Sequence, residues 1–237
     1  MPYILSPEII PNSPGMWGEG SAYEKKSIYS LKNGTLPPVN YDEHILRPHS
    51  LTHLETPAHT ANEGKRLESF FASDISHFYG PAVVIKLTGN EYHSAGDGIY
   101  HWIISPDQIE SRIKAMGLNK LPGKVLITTE NYPENEQGYH DPTYVLTLSQ
   151  ESAEYLVSIE GFNLYGTSWK SSDYNPGKAE RPIHNTLFRR ALILENLKLK
   201  TVPEGIYFLS AFPLPLQGAS ESPVVPVLFT KDELVIK

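Results

Sequence analysis

The chain has 237 residues, of which 40% are hydrophobic and 20% charged, and a formal net charge of −7. That balance describes an ordinary globular protein, and with no basic run it excludes nucleic acid or an anionic membrane surface as a partner. No apolar stretch is long enough to span a bilayer, and the lack of cysteine excludes disulfide frameworks and thiolate metal sites.

The opening Met1-Pro-Tyr-Ile-Leu-Ser-Pro has no basic segment leading into an apolar core, so no signal peptide is read there and a cytoplasmic enzyme is expected. Residues 1–40, rich in Pro, Gly, Ser and Asn, predict a loop-rich arm covering a site or a partner subunit. Ile45 to Thr52 predicts an extended approach to a histidine cluster. Ala82–Leu87 predicts a strand. Ser105-Pro106-Asp107-Gln108 predicts a helix start with a capping box, an apolar stripe at Ile109, Ile113 and Met116, and a stop at Gly117. Lys124–Thr129 is the next strand. Ser149 caps a second helix that buries Ala153, Leu156 and Val157 and ends by Gly161. Asn163–Thr167, Ala191–Glu195, Ile206–Ser210 and Pro223–Phe229 follow as strands, the prolines of the last predicting an edge or a bulge. Strands alternating with helices in the middle and dominating both ends predict one mixed α/β domain over residues 1–237.

The chemistry is concentrated in eleven residues, His49-Ser-Leu-Thr-His53-Leu-Glu55-Thr-Pro57-Ala-His59. Imidazoles and a carboxylate without thiolates suit zinc or manganese. An extended segment would point all four odd-numbered side chains to one face, and Pro57 argues against a helix through the motif. His49, His53 and Glu55 form a three-ligand set that leaves positions open for water and substrate. His59 is placed to shuttle protons. The remaining histidines, His44, His77, His93, His101 and His140, have no such company and read as structural or surface groups. Downstream, Glu195 closes an apolar strand and taken alone reads as a strand-end surface charge. Thr167, Ser168, Ser171 and Ser172 lack the Gly-x-Ser-x-Gly setting of a serine nucleophile. Tyr100 and Trp102 read first as core residues.

The cluster resembles the signature His-x-Gly-Thr-His-x-Asp-x-Pro-x-His of the cyclase family of metal-dependent hydrolases, which includes bacterial kynurenine formamidase and isatin hydrolase. The similarity extends to Tyr3–Ser6, to Ser149–Asp173, to His184 and Glu195-Asn196-Leu197, and to Phe212–Leu216 with Ser222-Pro-Val. It implies a swivelling β/β/α fold, a homo-oligomer (dimer or tetramer), and one or two divalent ions, zinc or manganese. It implies that His49, His53 and Glu55 hold the first ion and Glu55, His184 and Glu195 the second. His59 would be general base and acid in the hydrolysis of a small amide, formamide or lactam by a metal-activated water, an arylformamidase-like attack on a non-peptide C–N bond. Two departures stand out. Glu55 replaces the Asp of the signature, so a bridge between ions would need the backbone to withdraw. Leu51 replaces the Gly, and its side chain predicts crowding of the site. A degenerate relative that binds a metal or small ligand without hydrolysis, or a dehydratase or cyclase at the same metal, are the alternatives. Thr128–Tyr132, which departs from the family's text, is expected to shape the substrate pocket.

Overall fold

The computed structural model describes residues 1–18 and 20–234; residues 19 and 235–237 of the single domain expected from the sequence lie outside the described residues. The strands are β1 (Tyr3–Ile4), β2 (Tyr23–Tyr29), β3 (Tyr41–Leu46), β4 (His53–Glu55), β5 (Tyr79–Leu87), β6 (His93–Gly96), β7 (Ile99–Ile104), β8 (Lys124–Thr129), β9 (Tyr144–Leu148), β10 (Leu164–Thr167), β11 (Leu192–Glu195), β12 (Gly205–Ser210), β13 (Glu221–Pro223) and β14 (Val227–Phe229). The helices are α1 (Leu67–Ser73), α2 (Pro106–Ala115), α3 (Gln150–Ser158) and α4 (Pro182–Leu187).

Nine strands form one curled sheet in the order β1-β14-β12-β5-β8-β10-β11-β4-β13. Its middle, β5, β8, β10 and β11, is parallel, and every strand outside that group joins antiparallel. A parallel centre must be covered on both faces, and the side chains alternate accordingly. Val83, Ile85, Val125, Ile127, Tyr165 and Ile193 enter one core with Trp102, Ile104, Ile109, Val145, Leu146, Ala153 and Leu156. Ala82, Val84, Leu126, Leu164, Leu192 and Leu194 enter the other, with Leu5, Leu54, Leu67, Phe70 and Phe78. The first is roofed by a second sheet, β6-β7-β9, and by α2, α3 and α4. The second is closed by α1 and the turn at Ile75–Phe78.

The local expectations are met where chain chemistry decides them. α2 starts on the expected box: Gln108 N donates to Ser105 Oγ while the Gln108 side chain accepts from Ser105 N. α3 is capped by Ser149 Oγ, which accepts from Ser152 N at 3.1 Å. Gly166 in β10 is a packing requirement, because a Cβ there would stand 2.4 Å from Leu126 Cδ2 and 2.7 Å from Leu197 Cδ1. Three expectations are corrected. The 1–40 arm is not only loop: β1 enters the large sheet and β2 pairs with β3 in a ribbon. Pro223–Phe229 is not one strand, since β13 lies at one edge of the sheet and β14 pairs near the other. Thr128–Tyr132 does not line the site: Tyr132 is buried in the first core and Glu130 is exposed. Trp102 is in the core, as expected. Among the described residues no helix is long and apolar enough to cross a membrane.

His140 is one of the histidines read as structural. It is 7% exposed, its Nε2 has no hydrogen-bond partner, and burial pushes its pKa down to about 4. An unfolded imidazole takes its proton near 6.5, so the unfolded state binds more protons between the two values. Stability is therefore lost as pH falls through that window, by up to about 3 kcal/mol. Thermal melts of chelator-treated protein between pH 7 and 4 are expected to fall more steeply for the wild type than for His140→Gln; parallel slopes would contradict this origin.

Candidate metal centre

The centre is assembled by strand register at the carboxyl ends of the parallel strands. β11 ends on Glu195, which lies directly opposite His53 of β4, and Glu55, two residues on, lies opposite Glu221 of β13. Opposed residues of an antiparallel pair project to the same face. This row therefore stands on one face of the sheet edge, while Leu54 and Leu194 turn into the core behind it.

Two 3₁₀ turns then supply what the strand cannot. Pro48 and Pro57 each occupy the first position of a turn, Pro48–Ser50 and Pro57–His59, where a missing N–H is tolerated. The turns swing His49 and His59 over the strand, so the extended segment expected from odd-numbered spacing is replaced by turn, three-residue strand and turn. Gly64 packs against the second turn, since a Cβ there would sit 2.4 Å from the carbonyl carbon of Pro57 and 2.5 Å from the amide nitrogen of Ala58.

Glu55 is the hub. It is 1% exposed, and its Oε1 lies 3.2 Å from His49 Nδ1, 3.2 Å from His53 Nε2 and 3.3 Å from His59 Nε2. Its Oε2 lies 3.1 Å from His184 Nε2. Glu195 stands 3.4 Å from His184 Nε2 and 3.7 Å from His53 Nε2, and accepts from Ser172 Oγ at 2.8 Å. All six residues singled out from the sequence are thus brought together, Glu195 as a buried member of the cluster and not a surface charge. The sets whose ligand atoms lie within 4.8 Å of one another are His49, Glu55, His59 and His53, Glu55, Glu195. The first set expected from the sequence, His49, His53 and Glu55, is equally tight: His49 Nδ1 lies 3.1 Å from His53 Nε2, and each lies 3.2 Å from Glu55 Oε1. Among the described residues no His, Asp and Glu group of this kind occurs away from this centre.

Two of the imidazoles have their tautomers fixed from behind. His53 Nδ1 lies 2.9 Å from the carbonyl oxygen of Leu51, which can only accept, so Nδ1 carries a proton and Nε2 is turned to the centre. His184 Nδ1 lies 2.7 Å from Asp173. The same carboxylate accepts from the backbone N–H groups of Ile183 and His184, both at 3.0 Å, and so caps the first turn of α4. Carboxylate and carbonyl partners of this sort are the usual supports of metal-binding histidines.

The electrostatics follow from burying acids among imidazoles. Burial would raise Glu55, but hydrogen bonds from His184, His49 and His53 hold it well below the usual carboxylate range. Burial would lower His184 and His53. Asp173, Glu195 and Glu55 override it at His184, and Glu55 and Glu195 at His53, so both sit above the ordinary value. Burial prevails at His59 and moves it down. The mouth is formed by His49 and His59, 33% and 25% exposed, and opens into a cavity of about 360 Å³.

Three residues that matter were not found from the sequence. Glu221 places its carboxylate oxygens 3.9 Å from His49 Nε2 and 4.0 Å from His59 Nδ1; only strand register reveals it. Trp17 and Arg181 line the cavity from segments without any motif. Leu51 does not crowd the centre. Its backbone is extended (φ −123°), so no glycine is required, and its side chain is buried beside Met16, His140 and Asn196, away from the lining of the main cavity. Of the serines, Ser168 donates to Thr128 outside the centre, Ser172 donates to Glu195 within it, and Ser171 lines the cavity.

A family model described as "Putative cyclase" matches residues 5–174, and the chain belongs to that family. It is 30% identical over 226 residues to a kynurenine formamidase of Polaromonas naphthalenivorans (strain CJ2), spanning 94% of this chain and 88% of that protein. It is likewise 30% identical over 229 residues to a kynurenine formamidase of Delftia acidovorans (strain DSM 14801 / SPH-1), spanning 94% and 95%. The fold is shared with isatin hydrolase A from Ralstonia solanacearum, at a TM-score of 0.73, 20% identity and coverage of 96% and 91%. It is shared equally with isatin hydrolase A from Labrenzia aggregata bound to benzyl benzoate, at 0.73, 18%, and 98% and 94%.

Asn196 locks the centre to the sheet. It adopts a left-handed backbone (φ 59°), its side-chain N–H group donates to the carbonyls of His49 at 3.2 Å and Leu51 at 2.9 Å, and its own carbonyl accepts from Thr52 Oγ1 at 2.7 Å. Asn196→Ala is expected to lose about 2–3 kcal/mol, from two buried hydrogen bonds and a left-handed backbone that alanine tolerates poorly. Asn196→Gly, which relieves only the backbone, should recover about 1 kcal/mol of it. Equal chemical-denaturation midpoints for Asn196→Ala and the wild type would refute the lock.

Proposed function

We propose that this chain is a cytoplasmic metal-dependent amidohydrolase that cleaves a non-peptide C–N bond in a small amide, formamide or lactam. The observation that carries the proposal is the convergence of four imidazoles on both oxygens of one buried carboxylate. The fit to a metal rests on the donor set. Nitrogen and carboxylate oxygen donors without thiolate suit zinc or manganese, and the two deepest imidazoles turn Nε2 inward under support from Leu51 and Asp173, where each would exchange its proton for a metal ion. His49, His53, Glu55, His184 and Glu195 would hold one or two divalent ions. The kynurenine formamidases and isatin hydrolases named above support the choice of an amide or lactam.

A divalent ion bound there supplies Lewis acidity, which lowers the pKa of water toward neutrality and polarises a carbonyl. The chain's own residues do the rest. Water adds to the carbonyl carbon, the C–N bond breaks, and the water's proton must reach the departing nitrogen. His59 at the mouth is suited to carry it: its lowered pKa keeps the imidazole neutral near pH 7 and ready to accept. Glu55 orients His59 through Nε2, and Glu221 faces Nδ1. With Leu51 outside the lining of the cavity, the reading of a binding-only relative loses one of its two supports, the other being Glu55. A homo-oligomer is part of the proposal. The β2–β3 ribbon exposes Ile28, Tyr41 and Ile45, apolar side chains that a second copy would cover.

The test is metal content by mass spectrometry alongside turnover of a formamide and lactam panel. His53→Ala is expected to lose both metal and activity. His59→Ala should keep the metal and lose about 10²–10⁴-fold in kcat. Undiminished turnover by verified metal-free His53→Ala protein would overturn the proposal, and loss of metal from His59→Ala would make His59 a ligand instead of a base.

A further inference from the structure

The floor of the main cavity is acidic, with Glu55 and Glu195, yet its rim is not. Arg47 and Arg181 both line it, together with Trp17, Leu46 and Pro48. Arg47 is engaged: its guanidinium donates to Glu24 at 2.7 Å and to the Ser21 carbonyl. Arg181 is different. It precedes α4, gives that helix no side-chain cap, and its guanidinium has no hydrogen bond or ion pair with any described residue. It also lines an adjoining recess of about 270 Å³, shared with Trp17, Lys170 and Lys178. The acid of that recess, Asp173, is committed to His184 and the start of α4. In a chain of net charge −7, Arg181 therefore brings a positive charge without a partner among the described residues to the place where the metal-centre cavity meets this recess.

A guanidinium presents a planar fork that matches a carboxylate bidentately. With one such fork, and Arg47 already engaged by Glu24, a single carboxylate fits better than a doubly charged phosphate. The apolar wall of Trp17, Leu46 and Pro48 suits a ring, and about 360 Å³ lies at the small end of ligand pockets. We propose that Arg181 is the specificity residue of this site and reads a carboxylate on the substrate. The substrate class is then a single-ring amide, formamide or lactam bearing one carboxylate set apart from the scissile carbonyl. This inference rests on the hydrolase reading above and adds the substrate's charge to it.

The experiment compares 3-(formylamino)benzoate with its neutral counterpart formanilide on metal-loaded protein. The acid is expected to have at least tenfold higher kcat/KM. Arg181→Gln should erase that preference, losing at least tenfold more on the acid than on formanilide, chiefly through KM, and Arg181→Lys should recover part of it. A preference for formanilide, or equal losses on both substrates as from a disturbed α4, would overturn the assignment. If neither compound is turned over, the hydrolase reading is what has failed for this class, and calorimetric binding of 3-aminobenzoate decides on Arg181. A Kd at least tenfold weaker in Arg181→Gln supports it, and an unchanged Kd, or no binding to the wild type, overturns it.

Discussion

The burial of the Glu55 carboxylate is the constraint on which the rest of the site depends. Taking an ionised carboxylate out of water costs several kcal/mol unless it is paired and hydrogen-bonded. Here the compensation comes from four imidazoles on four elements: the Pro48–Ser50 turn, β4 itself, and, farther along the chain, the Pro57–His59 turn and α4. Each imidazole has to be held in place by something else, and the surroundings supply it: the Leu51 carbonyl behind His53, Asp173 behind His184, Asn196 across the His49 turn, and the close approach of Gly64 behind the His59 turn. With Glu195 and Asp173 also buried, the cluster holds three carboxylates, a charge that a bound divalent cation would offset without any thiolate.

The extra methylene of Glu55 is compatible with this arrangement. The side chain starts from the strand row, opposite Ile193 on one side and Glu221 on the other, and its two oxygens serve different imidazoles. The longer arm reaches His184 on α4 without moving β4 out of the sheet. The cavity above is correspondingly polarised, acidic and imidazole-rich below, apolar along Leu46 and Pro48, and cationic at Arg181.

Much of this was legible in the sequence because local chemistry wrote it there. The capping box at Ser105 and Gln108, the apolar runs that became β5, β8 and β11, and the spacing from His49 to His59 all depend on near neighbours. The resemblance carried His184 and Glu195, which spacing alone could not. What was not legible depends on tertiary placement. Glu221 is an ordinary acid until β13 pairs with β4. β2 is polar and exposed, so it lacks the alternation that marks a half-buried strand. Residues Pro223 to Phe229 look like one strand because nothing local shows that the chain leaves one sheet edge and rejoins the sheet near the other. The crowding expected at Leu51 treats a position in a motif as a position in space; the residue is buried and lines a recess with Met16, His140 and Asn196, outside the main cavity.

The central claim is that the histidines and carboxylates around Glu55 bind a metal directly. X-ray absorption at the metal edge of the zinc- or manganese-loaded protein tests it most directly. For zinc, the account predicts a shell of nitrogen and oxygen at about 2.0–2.1 Å with the outer-shell scattering of at least two imidazoles; Glu55→Ala should diminish that shell. A spectrum of hydrated ion without imidazole scattering, unchanged in Glu55→Ala, would contradict it.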